Sequence, residues 1–327
     1  MRIETAGDID DPLAIADRAV TAALSGAAVL VVRNSVGGAI AVAQAVAARA
    51  PELAFEVDGV ATLHHGRFAP DDRTLLDRAV EAAFGKGRTA GGRVLVGTQT
   101  LEQSLDIDAD LLITDLAPID VLLQRIGRLH RHVRERGAFA EARVVVLRPA
   151  ERDLTPLLTR KAGFHGLSGH VYPNLVQLEA TLRRIEETPD IVIPRDNRRL
   201  VEGALHPQVL AEVERDLGTA WRNHGAERSG GVSAAGQSAA QIAIDLSQRF
   251  TELDWRDAEA AVTRLGGRDL LIDLDPPLAG PFGRPVDRIR VPHWMADGAS
   301  VVERLDGAEF RLGRRRLRYD QWGLRQG

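Results

Sequence analysis

Gly97 to His132 reads GTQTLEQSLDIDADLLITDLAPIDVLLQRIGRLHRH, and the order of its parts decides the fold. A strand end at Gly97-Thr98 gives way to an acidic turn, the apolar run Leu111-Leu112-Ile113-Thr114 follows, and beyond Pro118 arginines recur at helical spacing. Strand, turn, strand and helix in so short a stretch is the rhythm of a parallel α/β sheet covered by helices on both faces. The rhythm extends outward. Apolar residues fall at helical spacing from Pro12 to Gly26, and Ala27-Ala28-Val29-Leu30-Val31-Val32 is a continuous apolar run typical of a buried parallel strand. Asn34 and Ser35 are placed to cap a helix over Val36–Ala48. A second strand is expected at Ala61–Gly66, then a helix starting at Asp71-Asp72 that carries Leu75, Leu76, Ala79 and Val80. Further strands are expected at Arg93–Thr98, Leu111–Thr114 and Val144–Leu147. The pattern implies a doubly wound, mainly parallel α/β sheet with flanking helices and with its sites at the carboxyl ends of the strands.

Beyond Pro149 the pattern turns helical, with Val176–Glu187 its clearest segment and breaks at Pro189 and Pro194. Gly225–Gln237 is rich in Gly, Ser and Ala, the composition of a linker. Short strand-like pieces follow around Ile289-Arg290-Val291, Ser300-Val301-Val302 and Leu317-Arg318-Tyr319. The expected organisation is a sheet domain over 1–150, a helical extension over 151–224, a linker over 225–241 and a small separate C-terminal domain over 242–327.

The apolar fraction of 44% over 327 residues is ample for a globular core. With no cysteine there are no disulfides and no thiolate metal sites. No apolar run of about 18 residues offers a membrane span, and the acidic start MRIETAGDIDD is unlike a secretion signal. A cytoplasmic protein with no membrane partner is the expectation. The net charge of −4 excludes a uniformly basic chain but leaves room for a local basic strip.

At Gly97-Thr98-Gln99-Thr100 small and hydroxyl residues end a strand, where backbone N–H groups and side chains can meet a phosphate of a bound nucleic-acid strand. Asp106 lies on the far side of the same turn and can face a nucleotide. One short loop would then touch both fuel and track. Taken singly, Thr98 has the plainer reading of a strand-end cap and Asp106 that of a turn acid; the joint pattern carries the functional reading. Further on, Arg128 and Arg131 fall close to one helical turn apart, so both can face one anion. Positive charge placed on γ-phosphate oxygens is worth roughly 10³ to 10⁵ in rate, which makes these two the candidate arginine fingers. The competing reading is a solvated basic face made of Arg125, Arg128, Arg131, Arg134 and Arg136. Gly127 argues against it: a glycine within a helix costs about 1 kcal/mol relative to alanine and suggests close approach by a backbone or ligand.

No G-x-x-x-x-G-K-[ST] phosphate loop occurs, and Gly85-Lys86-Gly87 lacks both the upstream glycine and the hydroxyl residue. The chain is expected to complete an ATPase site, not to form one alone. His64 and His65 lack neighbours at metal-ligand spacing, so no metal site is expected there; His65-Gly66 instead shapes a loop, with Arg67 and Arg73 as candidate phosphate contacts or plain surface. The tail Arg311–Tyr319 is arginine-rich, suited equally to holding nucleic acid or a partner and to protecting a strand edge.

These residues together resemble superfamily 2 helicases, and among them the CRISPR-associated helicase–nuclease that degrades DNA in type I interference. The general signature is matched at Val31-Val32-Arg33-Asn34-Ser35 (motif IV), Gly97 through Asp106 (motif V) and Gln124 through Arg131 (motif VI). The narrower resemblance rests on Glu102-Gln103-Ser104-Leu105-Asp106, Asp115-Leu116-Ala117-Pro118-Ile119-Asp120 and Arg128-Leu129-His130-Arg131-His132. It continues at Val171-Tyr172 with Leu182, at Ile193-Pro194-Arg195-Asp196 and at Leu200-Val201-Glu202, and returns near Tyr319-Asp320 and Gly323-Leu324. It implies a second RecA-like helicase domain, a helical extension and a small C-terminal domain. It also implies Thr98 on a phosphate of single-stranded DNA, with Asn34, His65 and Gln99 on the same path. Asp106 would lie near the ATP ribose or the metal-water shell, Gln124 near the nucleotide, and Arg128 and Arg131 on the γ-phosphate. ATP and Mg²⁺ would be bound mainly by a first RecA-like domain. The implied partners are single-stranded DNA, a polypeptide bearing that first domain and an HD nuclease, and a CRISPR surveillance complex. Two other readings stay open: a non-catalytic module docking on such a complex, and an inactive truncated remnant.

Overall fold

The computed structural model describes residues 1–102, 105–159, 167, 171–241, 269–296, 302–305 and 307–327, with side chains outside the description at 232–241. The chain begins with β1 (Arg2–Ala6), α1 (Pro12–Leu24), β2 (Ala28–Val32) and α2 (Val36–Arg49). The short β3 (Glu56–Val57) and β4 (Val60–Ala61) lead to α3 (Pro70–Phe84), β5 (Arg93–Gly97), β6 (Leu111–Asp115), α4 (Ile119–Ile126) and β7 (Arg143–Leu147). Five strands form one all-parallel sheet in the order β1-β7-β6-β2-β5. β2 and β6 are buried at every position, which is why their sequences run apolar without alternation. Asp11 caps α1 by accepting from Leu13 N and Ala14 N with Pro12 at the first helical position, and Ser35 caps α2 by accepting from Gly38 N. Thus the cap expected of Asn34 and Ser35 belongs to Ser35.

Three expectations change. The strand β1 escaped the sequence reading because it is an edge strand, with Ile3 its one deeply buried side chain. Of Ala61–Gly66 only Ala61 is in a strand, in a two-residue hairpin with β3 about the turn Asp58-Gly59, both at positive φ. The chain then follows the outer edge of β5 through single bonds, Phe55 N to Val94 O and His64 N to Val96 O at 3.0 Å each. Finally, the expected linker is helical.

That helical region comprises α5 (Leu175–Glu187), α6 (Asn197–Leu205), α7 (Pro207–Leu217) and α8 (Thr219–Gln241). Alanine recurs through 226–240, and its helix propensity outweighs the glycines and serines that suggested a linker. Trp221, 1% exposed, anchors the start of α8, its Nε1 donating to Thr155 Oγ1 at 3.1 Å. Next come the antiparallel pair β8 (Leu270–Ala279) and β9 (Pro285–Val291), the short α9 (His293–Ala296), and an antiparallel meander of β10 (Val302–Arg304), β11 (Glu309–Leu312), β12 (Arg315–Asp320) and β13 (Gly323–Gln326). Of the expected piece Ser300-Val301-Val302, Val302 opens β10 and the other two residues lie outside the described ones. Among the described residues no helix is long and apolar enough to cross a membrane.

The meander is not a detached module. Thr62 Oγ1 donates to Gln321 O at 2.7 Å, Leu324 N donates to Arg67 O at 2.9 Å, and Tyr319 OH donates to Asp72 while accepting from Ala69 N. Phe68 fills the space between His65, Phe282 and Tyr319. Residues 62–72, at the far edge of the parallel sheet, are thereby the seat of the C-terminal meander.

Candidate functional site

β2, β5 and β6 end side by side, and three of the residues expected to meet nucleic acid gather at those carboxyl ends. Asn34, 2% exposed, has every polar group of its side chain committed: Nδ2 donates to Leu116 O at 2.9 Å and Oδ1 accepts from Arg125 Nη2 at 3.0 Å. Thr98, 3% exposed, caps the turn Gln99–Leu101 with its carbonyl. Gln99 is half-buried, and its Nε2 donates to Asn34 O at 3.0 Å. The structure therefore brings Asn34, Thr98 and Gln99 together but turns Asn34 into a support for its neighbours. Here the Asn34 side chain is engaged with Leu116 and Arg125.

His65 is placed elsewhere. It is fully buried, its Nε2 sits 3.0 Å from the Trp322 carbonyl and its Nδ1 accepts from Arg67 N, while Gly323 lies so close that a Cβ would meet the ring. Burial drives its pKa down to about 3, so the ring is neutral and donates to Trp322. In this arrangement His65 offers no face to nucleic acid. Its neighbour His64 bridges Thr100 Oγ1 at 2.8 Å and Asp77 Oδ1 at 2.6 Å. Arg73 also pairs with Asp77, and Arg67 lies over the Trp294 ring at 5.0 Å.

Sequence reasoning missed the polar hub beneath this surface. Arg125, with no exposed surface, donates from Nε to Glu102 at 2.7 Å, from Nη1 to Thr114 Oγ1 and Asp115 O, and from Nη2 to Asn34 Oδ1 and Tyr172 OH. Arg33 is likewise buried, its Nε pairing with Asp115 and its Nη2 donating to Ile9 O at 2.7 Å. Such charges are tolerable inside because each is paired with a carboxylate and hydrogen-bonded to further acceptors. The available signal was a polar residue set within apolar runs, at Thr114-Asp115 and Arg33-Asn34.

The nucleotide-facing candidates stand at the opposite end of the sheet. Asp110 accepts from Ala28 N at the amino end of β2, Asp108 N donates to Phe84 O, and Ala109 N donates to Arg128 O. Roughly 15 Å, one strand length, separates this end from the other. Whereas carboxyl ends were the expected place, Asp106, Arg128 and Arg131 stand at the amino end, because the loop after β5 must return there before β6 can run parallel. Gln103-Ser104, within that loop, lie outside the described residues.

At this amino end Arg131 Nε pairs with Asp106 at 3.0 Å, with both side chains about two-fifths exposed, and His132 Nε2 lies 2.9 Å from the same carboxylate. Arg128 donates from Nη1 to Leu105 O at 2.7 Å and from Nη2 to Glu102 O. Its Nε is buried without a partner among the described residues. Burial, and then the charge of Arg131, pull its pKa below the ordinary guanidinium value. Gln124 is exposed on α4. The helix itself ends at Ile126 with Gly127 as its cap. Gly127 is therefore not interior, a Cβ there would meet only Gln124 O and Leu123 O, and the two candidate fingers stand on the loop beyond the helix.

The remaining arginines of the run do not form a solvated face. Arg134 pairs with Asp108 at 2.7 Å, and Arg136 pairs with Asp108 at 2.6 Å and with Asp110, which also holds Arg88 at 2.6 Å. The alternating acids of Asp106-Ile107-Asp108-Ala109-Asp110 are the complement that folds this segment back. Residues 130–137 and Ala140 line an open cleft of about 590 Å³ into which the exposed Arg131 and Val133 side chains face. Among the described residues no group of three His, Asp or Glu could hold a metal ion. Positive charge gathers here instead: the buried Arg128 Nε, without a partner among the described residues, lies near the accessible Arg131 guanidinium that pairs with Asp106.

A five-stranded parallel sheet with an arginine loop at one end and a polar strand-end loop at the other defines the second RecA-like half of a superfamily 2 helicase. Residues 25–134 match the family described as CRISPR-associated nuclease/helicase Cas3, C-terminal. The CRISPR-associated endonuclease/helicase Cas3 of Escherichia coli is 31% identical over 271 residues, which make up 80% of this chain and 28% of that protein. The crystal structure of T. fusca Cas3 with ATP superposes with a TM-score of 0.70 at 21% identity, over 99% of this chain and 42% of that one. A chain in a pre-nicking CRISPR RNA-guided surveillance complex gives 0.69 at 23% identity, over 99% and 44%. The chain belongs to the Cas3 family of CRISPR helicase/nucleases and corresponds to a C-terminal portion of it, well under half the length of these relatives.

Proposed function

We propose that this chain works as the C-terminal half of an ATP-dependent single-stranded-DNA translocase in CRISPR type I interference. The observation that carries the reading is the loop from Thr98 to Asp106, with one end among strand-end polar groups and the other against Arg128 and Arg131. A first RecA-like domain, on the same or a separate polypeptide, would supply the phosphate loop and the groups holding Mg²⁺. When ATP is bound it supplies the phosphoanhydride whose cleavage drives the cycle. Arg128 and Arg131 are the catalytic candidates on its γ-phosphate, Asp106 and Gln124 line the nucleotide side, and Thr98 and Gln99 track a DNA phosphate. Asn34 and His65 act behind them, the first under the strand-end loop and the second as the seat of the C-terminal meander. The working division is a sheet domain over 1–150, a helical extension continued through 151–241, and a C-terminal domain beyond it. A surveillance complex is the proposed docking partner, supported by the likeness to a chain found in one.

The test is DNA-stimulated ATP hydrolysis by the purified chain, alone and mixed with a first-half protein carrying a phosphate loop. Turnover in the mixture only, lowered at least about a hundredfold by Arg128→Ala or Arg131→Ala with most DNA binding retained, is the expected result. Unchanged turnover in both variants overturns the finger assignment. No turnover with a folded partner points instead to a docking module.

A further inference from the structure

Glu102 joins the two ends of the loop. Its carboxylate meets Arg125 Nε at 2.7 Å on the carboxyl side of the sheet, and its backbone carbonyl accepts from Arg128 Nη2 on the other. Tyr172, on the segment leading into α5, closes over this junction. Its hydroxyl accepts from Arg125 Nη2 at 3.1 Å beside the Gln99 side chain, while its ring lies 5.9 Å from the Arg125 guanidinium. A single side chain from the helical region thus touches the loop assigned to the DNA track and the arginine that holds the loop assigned to the nucleotide.

The charge of Arg125 does not depend on this tyrosine. Glu102 compensates it, Thr114, Asp115 and Asn34 accept three more of its protons, and the fifth is the one Tyr172 takes. What the hydroxyl adds is attachment of an outside segment to α4, just ahead of the arginine loop, beside the strand-end loop. We propose that Tyr172 is a positioning residue that couples residues 98–102 to Arg125 and, through Glu102, to Arg128, so that the helical extension holds both motor loops in one register. The role as a motor component rests on the function proposed above; the mechanical linkage does not.

The experiment compares the chain with Tyr172→Phe, which keeps the ring and removes only the hydroxyl. Amide hydrogen exchange is read first. It should quicken about fivefold, the worth of one ordinary hydrogen bond, in residues 98–102 and 125–131 together, with β2 and β6 unchanged. Exchange altered only near 171–176, or in only one of the loops, overturns the coupling. DNA-stimulated turnover with the first-half protein is read second, and should fall severalfold at saturating DNA while oligonucleotide affinity stays within about twofold. Equal turnover in wild type and variant overturns the positioning role. An inactive wild-type mixture counts against the motor reading alone, because the exchange result still decides the linkage.

Discussion

Arg125 and Arg131 lie within two turns of sequence and do opposite work. Arg125 is fully buried against Glu102, so Arg125→Ala strands a buried carboxylate and should lower the unfolding free energy by about 3–5 kcal/mol in urea denaturation. Arg131 sits at the surface with Asp106, and Arg131→Ala should change stability by less than about 1 kcal/mol while removing turnover in the reconstituted enzyme. The two measurements separate a structural arginine from the proposed catalytic one where the sequence shows only a spaced run. Tyr319 poses the same question at the other end of the chain. Its hydroxyl donates to Asp72, 2% exposed, whose carboxyl burial holds above the usual pKa. Tyr319→Phe leaves that acid short of a donor, and a loss of about 1–3 kcal/mol is expected by the same denaturation assay.

β12 and β13 settle on residues 62–72, and this contact should respond to pH. His65 has a folded pKa of about 3 against 6.5 when exposed, through burial. Between those values the unfolded chain takes up a proton that the folded chain excludes. Stability present above about pH 6.5 is therefore lost as pH falls towards 3. His64, also lowered by burial, acts in the same direction. We expect the melting temperature to drop between pH 7.5 and 5, and to drop less in His65→Gln; an equal drop in both proteins would remove His65 as the cause. The helical elements teach a different point. Val176–Glu187 is legible as most of α5 from its spacing alone, whereas the composition of 225–241 reads as a linker because it does not show Trp221 docking the first turn of α8 on Thr155.

Over the whole molecule, the parallel sheet carries a loop that reaches both of its ends, and the C-terminal meander locks onto the sheet's outer edge. Phe68, beside the sheet's edge, packs in one buried cluster with Tyr319 of the meander and with Phe282 of the β8–β9 turn. Calorimetry should accordingly show β10–β13 melting together with the sheet domain in one transition; a separate low-temperature transition that Tyr319→Phe does not shift would contradict this packing.

The sequence by itself determined the parallel α/β architecture and the strands β2, β5, β6 and β7, because apolar periodicity is a local property, and its resemblance to helicases marked the stretches named motifs V and VI. It could not show that Asp106 stands a strand length from Thr98, that Gly127 ends its helix, or that Arg125, Arg134 and Arg136 turn inward. Nor could it show that His65 lies beneath Trp322. These were decided by the tertiary structure, since which charge finds which partner depends on contacts between residues far apart in the chain, and burial then fixes whether a charged side chain supports the fold or remains free to meet a ligand.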